Sequence, residues 1–209
     1  MKLLFAKKSI LLALLCAAGV ANANTYTFND GVLASGNSYT QSDFTLSVTT
    51  SNGGVLSHIG SGQYAGLWLG TTTASFGSYQ FAFSMNITSI SIQFDALSST
   101  GGTPVETIGN FASSNGAATI SYTNLNGTTF NGSTIFSETN DGRGLITYSG
   151  PSFSGFSFDH AQNPSQNGFV IEQITIQTAP VPEPETYALM MAGLGLMGVV
   201  ARRRKAMQA

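Results

Sequence analysis

Few groups in this chain could make or break bonds, and their spacing limits what they could do. Two histidines, His58 and His160, lie far apart and form no His-x-His pair, whereas a zinc site needs three or four ligands. The single cysteine, Cys16, sits inside an N-terminal apolar run with no second thiol to pair with. No Gly-x-Ser-x-Gly elbow occurs, and Ser-x-x-Lys is excluded between residues 24 and 179 because that stretch has no lysine. Carboxylates remain. Glycoside hydrolysis needs two of them about 5–9.5 Å apart. Asp95, Glu106, Glu138, Asp159 and Glu172 are the available groups, but their sequence spacing brings no two together. No enzyme is therefore expected, and no resident cofactor. Calcium is the metal that loop carboxylates and backbone carbonyls of such a domain would take. Its candidate ligands are Asp30, Asp141, Asp159 and Glu172, although no Asp-x-Asp-x-Asp-Gly loop is present. Trp68, in GQYAGLWLG near Tyr64, is the candidate for stacking on a sugar ring. A lone Trp flanked by Leu67 and Leu69 is more ordinarily a core residue.

The elements that would position these groups are strands. From 24 to 179 the apolar residues recur with a period of two, not 3.6. Phe44, Leu46 and Val48 alternate, as do Tyr79, Phe81, Phe83 and Met85, and then Ile90, Ile92 and Phe94. Ile120 and Tyr122 follow, and GLITYS, FSGFSFD and GFVIEQITIQT supply further strands. Turn signals separate them: Asn52-Gly53, Gly101-Gly102, Asn126-Gly127, Asn131-Gly132, Asp141-Gly142 and Asn167-Gly168. YTNLNGTTFNGSTIF reads as a loose hairpin or an exposed excursion. About ten strands with one polar face imply an all-β domain. The expected architecture is an antiparallel β-sandwich, jelly-roll-like, over 24–179.

Charge separates three regions. Only 9% of the residues are charged, against about 25% in an ordinary soluble protein. Residues 1–23 carry +3, residues 24–179 carry −7 with Arg143 as their only cation, and residues 180–209 carry +2, which gives the net −2. A lysine-free, acidic middle excludes nucleic acid and anionic lipid as partners.

Both ends read as addresses. MKLLFAKKSILLALLCAAGVANA has a basic start, a twelve-residue apolar run and the small-x-small site Ala21-Asn22-Ala23, so a signal peptide over 1–23 is expected, cleaved by signal peptidase after export through the secretion machinery. At the other end, VPEP (181–184) precedes an apolar run over 187–201, closed by Arg202, Arg203, Arg204 and Lys205. Pro182 and Pro184 keep the approach extended and present Glu183 on an unpaired backbone. The run is expected to form one short transmembrane helix with its cations held on the cytoplasmic side.

Pro182-Glu183-Pro184, a short apolar helix and an Arg-rich end together resemble the PEP-CTERM sorting signal of bacterial surface proteins. The same tail is also classified after an ice-binding protein that carries it, a label without bearing on activity here. The resemblance implies processing by an exosortase, a membrane-embedded cysteine transpeptidase of Gram-negative bacteria that make exopolysaccharide. Pro182, Glu183, Pro184, Arg202, Arg203 and Arg204 are then the recognition residues. The precursor would be anchored in the inner membrane, facing the periplasm, before release to the outer surface or medium.

The expected role is structural, adhesive or associated with exopolysaccharide. The alternative is a secreted carbohydrate-binding or polysaccharide-active protein, with calcium as a conceivable requirement. Replacing Arg202, Arg203 and Arg204 together by Glu is expected to stop tail processing. Immunoblots of cells and medium should then show only the larger, cell-retained form, and unchanged release would remove the cations from the signal.

Overall fold

The computed structural model describes residues 23–71, 76–100, 103–116, 118–162, 168–180 and 184–206. Residues 1–22 of the expected signal peptide, with Ala21, and the motif residues Pro182 and Glu183 lie outside the described residues, while Ala23 at the expected cleavage site is exposed. Residues 24–179 form one compact unit, and the C-terminal tail belongs to another.

The first unit is all-β, as the alternation implies. Its elements are β1 (Thr25–Asn29), α1 (Asp30–Leu33), β2 (Ser38–Gln41), β3 (Phe44–Ser51), β4 (Gly54–Ile59), β5 (Gly66–Thr71), β6 (Phe76–Leu97), β7 (Ser99–Thr100), β8 (Thr103–Pro104), β9 (Glu106–Ser113), β10 (Thr119–Asn126), β11 (Thr128–Phe130), β12 (Thr134–Ser137), β13 (Gly142–Gln162) and β14 (Phe169–Thr178). Every pairing is antiparallel.

The layers of the expected sandwich are joined by hydrogen bonding. Twelve strands form one connected sheet, because β6 and β13 are each long enough to serve two layers. In one layer, β6 residues 87–97 pair with the first half of β13 and with β14. In the other, β6 residues 76–83 pair with the second half of β13 and with β3. The crossing falls where the β6–β13 register shifts, between Ser149 and Phe153 and again before Gly155. Such irregularities let a strand bend from one layer into the next.

The inward side chains alternate as the pattern requires, with a change of phase at each bend. In β6, Tyr79, Phe81 and Phe83 are buried, then Ile87, then Ile90, Ile92 and Phe94. In β13, Ile146 and Tyr148 face the core, then Phe153, then Phe156 and Phe158. Aromatic rings meet between the layers: Tyr26 stacks on Phe44 at 4.7 Å, Tyr148 lies 5.1 Å from Phe156, and Phe158 lies 6.2 Å from Phe169. The loose-hairpin segment resolves into β10, which pairs with β13, and a β11–β12 hairpin turning at Gly132, whose φ is +97°.

One end of the sandwich is closed by polar groups. Glu106 and His160 are fully buried, with His160 Nε2 at 3.6 Å from Glu106 Oε1 and its ring edge-on to Phe169. The Glu106 carboxylate accepts the backbone N–H of Ser98 at 2.8 Å and of Gly168 at 2.9 Å, drawing two loops onto β9. Position 168 requires glycine: φ is +91°, and a Cβ there would lie 2.2 Å from the Leu69 carbonyl oxygen.

The tail contains α2 (Pro184–Ala206). Its apolar residues emerge around the whole circumference, since they follow one another without a polar face from Tyr187 to Ala201. The transmembrane expectation is corrected: no helix among the described residues is long and apolar enough to cross a membrane. At 1.5 Å per residue the run over 187–201 extends about 22 Å, short of roughly 30 Å of hydrocarbon.

Glu106→Ala should destabilise the 24–179 unit by about 1–3 kcal/mol for each of the two backbone N–H groups it leaves buried without an acceptor. Glu106→Gln, which keeps a carbonyl acceptor, should recover part of that loss. Urea unfolding measures both. An alanine variant as stable as the parent would deny Glu106 its role as the end staple.

Candidate functional site

Trp68 and two of the four proposed calcium ligands belong to one patch on the outer side of the first layer. The register aligns a row of residues across neighbouring strands: Asp95 on β6 opposes Val170 on β14, Val170 opposes Trp68 on β5, and Trp68 opposes Ser57 on β4. Directly opposed residues of an antiparallel pair share a face, with Cβ atoms about 4.5–5.5 Å apart. Val170 is buried yet stands apart from the core cluster, as expected for a side chain covered on the outer face.

Trp68 is half-buried rather than a core residue. Its seat is made by a glycine. A Cβ at Gly70 would fall 2.2 Å from Trp68 Cη2 and 2.4 Å from Cζ2, so the six-membered ring fills the space a side chain there would need. The ring therefore lies against the backbone of its own strand.

Beside this row stands the unit's only cation. Arg143 Nη2 donates to Glu172 at 3.1 and 3.0 Å, and Gln93 Nε2 donates to Glu172 Oε2 at 2.6 Å. Arg143 Nε lies 3.0 Å from Asp95 Oδ2, but off the N–H direction, so this contact is an ion pair without a hydrogen bond. The Arg143 side chain is 41% exposed, against 4% for Asp95 and 17% for Glu172, so the guanidinium caps two carboxylates that water hardly reaches. Asp141 adds a third negative charge nearby, close enough to the Tyr64 hydroxyl to raise the Tyr64 pKa.

The electrostatics follow from these contacts. Burial pushes the Asp95 carboxyl up to about 6, against the Ala96 N–H, which donates to Asp95 Oδ1 at 2.6 Å, and against Arg143. The charges of Asp141 and Glu172 push the same way as burial. Arg143 is held above its ordinary value, first by the hydrogen bond to Glu172 and then by the Asp95 charge. At neutral pH the cluster holds three carboxylates and one guanidinium, which repels anions.

The calcium set is not assembled. Asp141 and Glu172 share the Arg143 cluster. Asp159 instead accepts Ser78 Oγ at 2.7 Å and Asn110 Nδ2 at 2.8 Å, and Asp30 accepts the Gly31 N–H at 2.7 Å. No group of three or more His, Cys, Asp or Glu is placed to hold a metal among the described residues. Of the carboxylates considered for hydrolysis, Asp95 and Glu172 do converge, but on Arg143, while Glu106 is sealed in the interior. Of the sorting residues, Pro184 and Arg202 to Arg204 fall within α2.

A shallow groove of about 360 Å³ crosses the outer side of the other layer, over Gln80, Ala82, Ala112, Ser114 and Ser157. It has no charged side chain, and its Phe81 and Phe156 are turned into the core. It therefore lacks the aromatic face and the ionic groups of the Trp68–Arg143 patch.

Residues 180–205 match the family model described as the PEP-CTERM protein-sorting motif. The protein thus carries an exosortase-directed sorting signal, the mark of an exported protein. No curated protein matches the sequence. Among solved structures, the chain is similar to a family two carbohydrate esterase from Cellvibrio japonicus, at 10% identity and a TM-score of 0.36 over 78% of this chain and 36% of that one. It thus spans about a third of the esterase. It is also similar to a family 35 carbohydrate-binding module from Clostridium thermocellum, at 10% identity and TM-score 0.31 over 75% of this chain and 99% of that one. A family 11 carbohydrate-binding module from the same organism, in complex with a β-1,3-1,4-mixed-linked tetrasaccharide, gives 14% identity and TM-score 0.30 over 78% and 93%. Likeness this distant says nothing of activity.

Because the folded-state pKa of Asp95 lies above its ordinary value of 3.8, its ionisation opposes folding. Its contribution is most favourable below about pH 4 and declines as pH rises through 6. Melting temperatures should therefore show a parent advantage over Asp95→Asn that shrinks between those pH values. A pH-independent difference would contradict the raised pKa.

Proposed function

We propose that the protein is exported behind a cleaved leader, that an exosortase processes its tail, and that its β-sandwich is a non-catalytic module that binds neutral polysaccharide of the cell surface or matrix. The carrying observation is the cross-strand row that sets Trp68 beside the Arg143 cluster. A sugar ring offers an apolar face to an indole and hydroxyls to carboxylates, amides and guanidinium. This patch offers both kinds of group on one outer face of the sheet, the half-buried indole of Trp68 and the exposed part of the Arg143 guanidinium. The negative cluster within a unit of net −7 disfavours acidic polysaccharide. Arg143 engages both Asp95 and Glu172, so neither is placed as a free acid or base, which argues for binding rather than hydrolysis. The short helix α2 acts in this reading as a label for a membrane enzyme rather than a lasting anchor.

The unit 24–179 encloses its own core and is the material for the test. Affinity electrophoresis through gels containing neutral or uronic-acid polysaccharides should show retardation by a neutral polymer only. Trp68→Ala should weaken that binding at least about tenfold, about 1.4 kcal/mol. Binding unaffected by Trp68→Ala, or retardation by acidic polymers alone, would overturn the assignment. Release of reducing ends from the retarding polymer would favour the hydrolase instead.

A further inference from the structure

The two lateral edges of the first layer fit one another. Across this layer the strands run β10-β13-β6-β14-β5-β4, each antiparallel to the next. Direction reverses at each step, so the outermost strands, β10 and β4, run in opposite directions. A second copy displaced along this order, and turned about it by the sheet's accumulated twist, brings its β10 antiparallel to the β4 of the first. The junction then continues the pairing already used throughout the sheet.

Neither strand has a partner on its outer edge among the described residues. Proteins commonly block such edges with charges, prolines or bulges. β10 (TISYTNLN) contains no charged residue and no proline, and its one register shift lies between Asn124 and Asn126, leaving Thr119–Thr123 regular. β4 (GVLSHI) has His58 as its sole titratable group, and both ring nitrogens are 3.0 Å from acceptors on the preceding segment, Leu33 O and Asn37 Oδ1.

The faces match as well. Ile120 and Tyr122 of β10 and Leu56 of β4 pack against the core. Thr119, Ser121, Thr123 and Ser57 are exposed and lie on the outer face. Pairing the two edges keeps the apolar face continuous with the apolar face. The carboxylates that give the unit its negative charge lie on neither strand, so the junction brings no like charges into register.

We propose that the mature domain self-associates head to tail, with β10 of one copy adding to β4 of the next. The two surfaces differ and the relation is a screw along the strand order, so the contact does not close and the product is an open, helical filament. This inference does not depend on glycan binding.

The purified unit 24–179, examined by size-exclusion chromatography with light scattering over a wide concentration range and by negative-stain microscopy, should grow beyond a dimer and form filaments. Ser121→Lys or Ser57→Lys alone should hold it monomeric, with circular dichroism unchanged. Combining Ser121→Lys with Ser57→Glu should restore growth, because every junction then carries opposite charges on one face. A parent monomeric at all concentrations would overturn the proposal. So would a closed dimer, or single variants that assemble like the parent.

Discussion

The fold depends on two strands that are too long for one layer. β6 and β13, of 22 and 21 residues, pair with each other on both sides of a bend and so belong to both halves of the sandwich. The aromatic residues between the halves are therefore tied through continuous backbone as well as through packing. The chain has no disulfide partner for Cys16, and only one cation in its β-domain. Cohesion comes from apolar burial and ladder hydrogen bonds, which suits a protein made to work outside the cell without covalent staples.

Register irregularities also set the site. Each change of phase along a long strand moves a residue from the inner to the outer face. In β6 the core sequence Ile90, Ile92, Phe94 leaves Asp95 pointing outward, and Ala96 then takes a left-handed φ of +63° before Leu97 returns to the core. That kink aims the Ala96 N–H at Asp95 and places the carboxylate under Arg143, which lies at the matching irregularity of β13. The polar cluster is thus a consequence of the bulge at Gly142–Gly144, distinct from the layer crossing, and Trp68 joins it only through the register of β14 between β6 and β5.

Polar groups do two distinct jobs in this domain. At one end Glu106 is sealed with His160, and its carboxylate is spent on backbone amides. On the outer face one half-exposed arginine covers Asp95 and Glu172, so it is chiefly the guanidinium that water reaches. The first arrangement fixes loops. The second places a guanidinium and its two carboxylates on the same outer face as an indole. The tail carries the PEP-CTERM sorting motif over residues 180–205.

Much of this was legible in the residues. Alternation such as Phe44-Leu46-Val48 determined the strands, because a period of two has only one way to bury a face. The order of Pro182-Glu183-Pro184, apolar run and arginines determined the sorting signal, since that signal is read locally. The length of the apolar run, rather than of the helix that holds it, corrected the notion of a membrane span among the described residues, a matter of fifteen residues over 187–201 against bilayer thickness. Tertiary structure alone decided that the two layers are one bent sheet, that Asp141 and Glu172 join the Arg143 cluster while the side chains of Asp159 and Asp30 are hydrogen-bonded elsewhere, and that Trp68 and Arg143 share a face. Those are facts of register between strands far apart in sequence, and a one-residue slip would have turned each of these side chains to the opposite side.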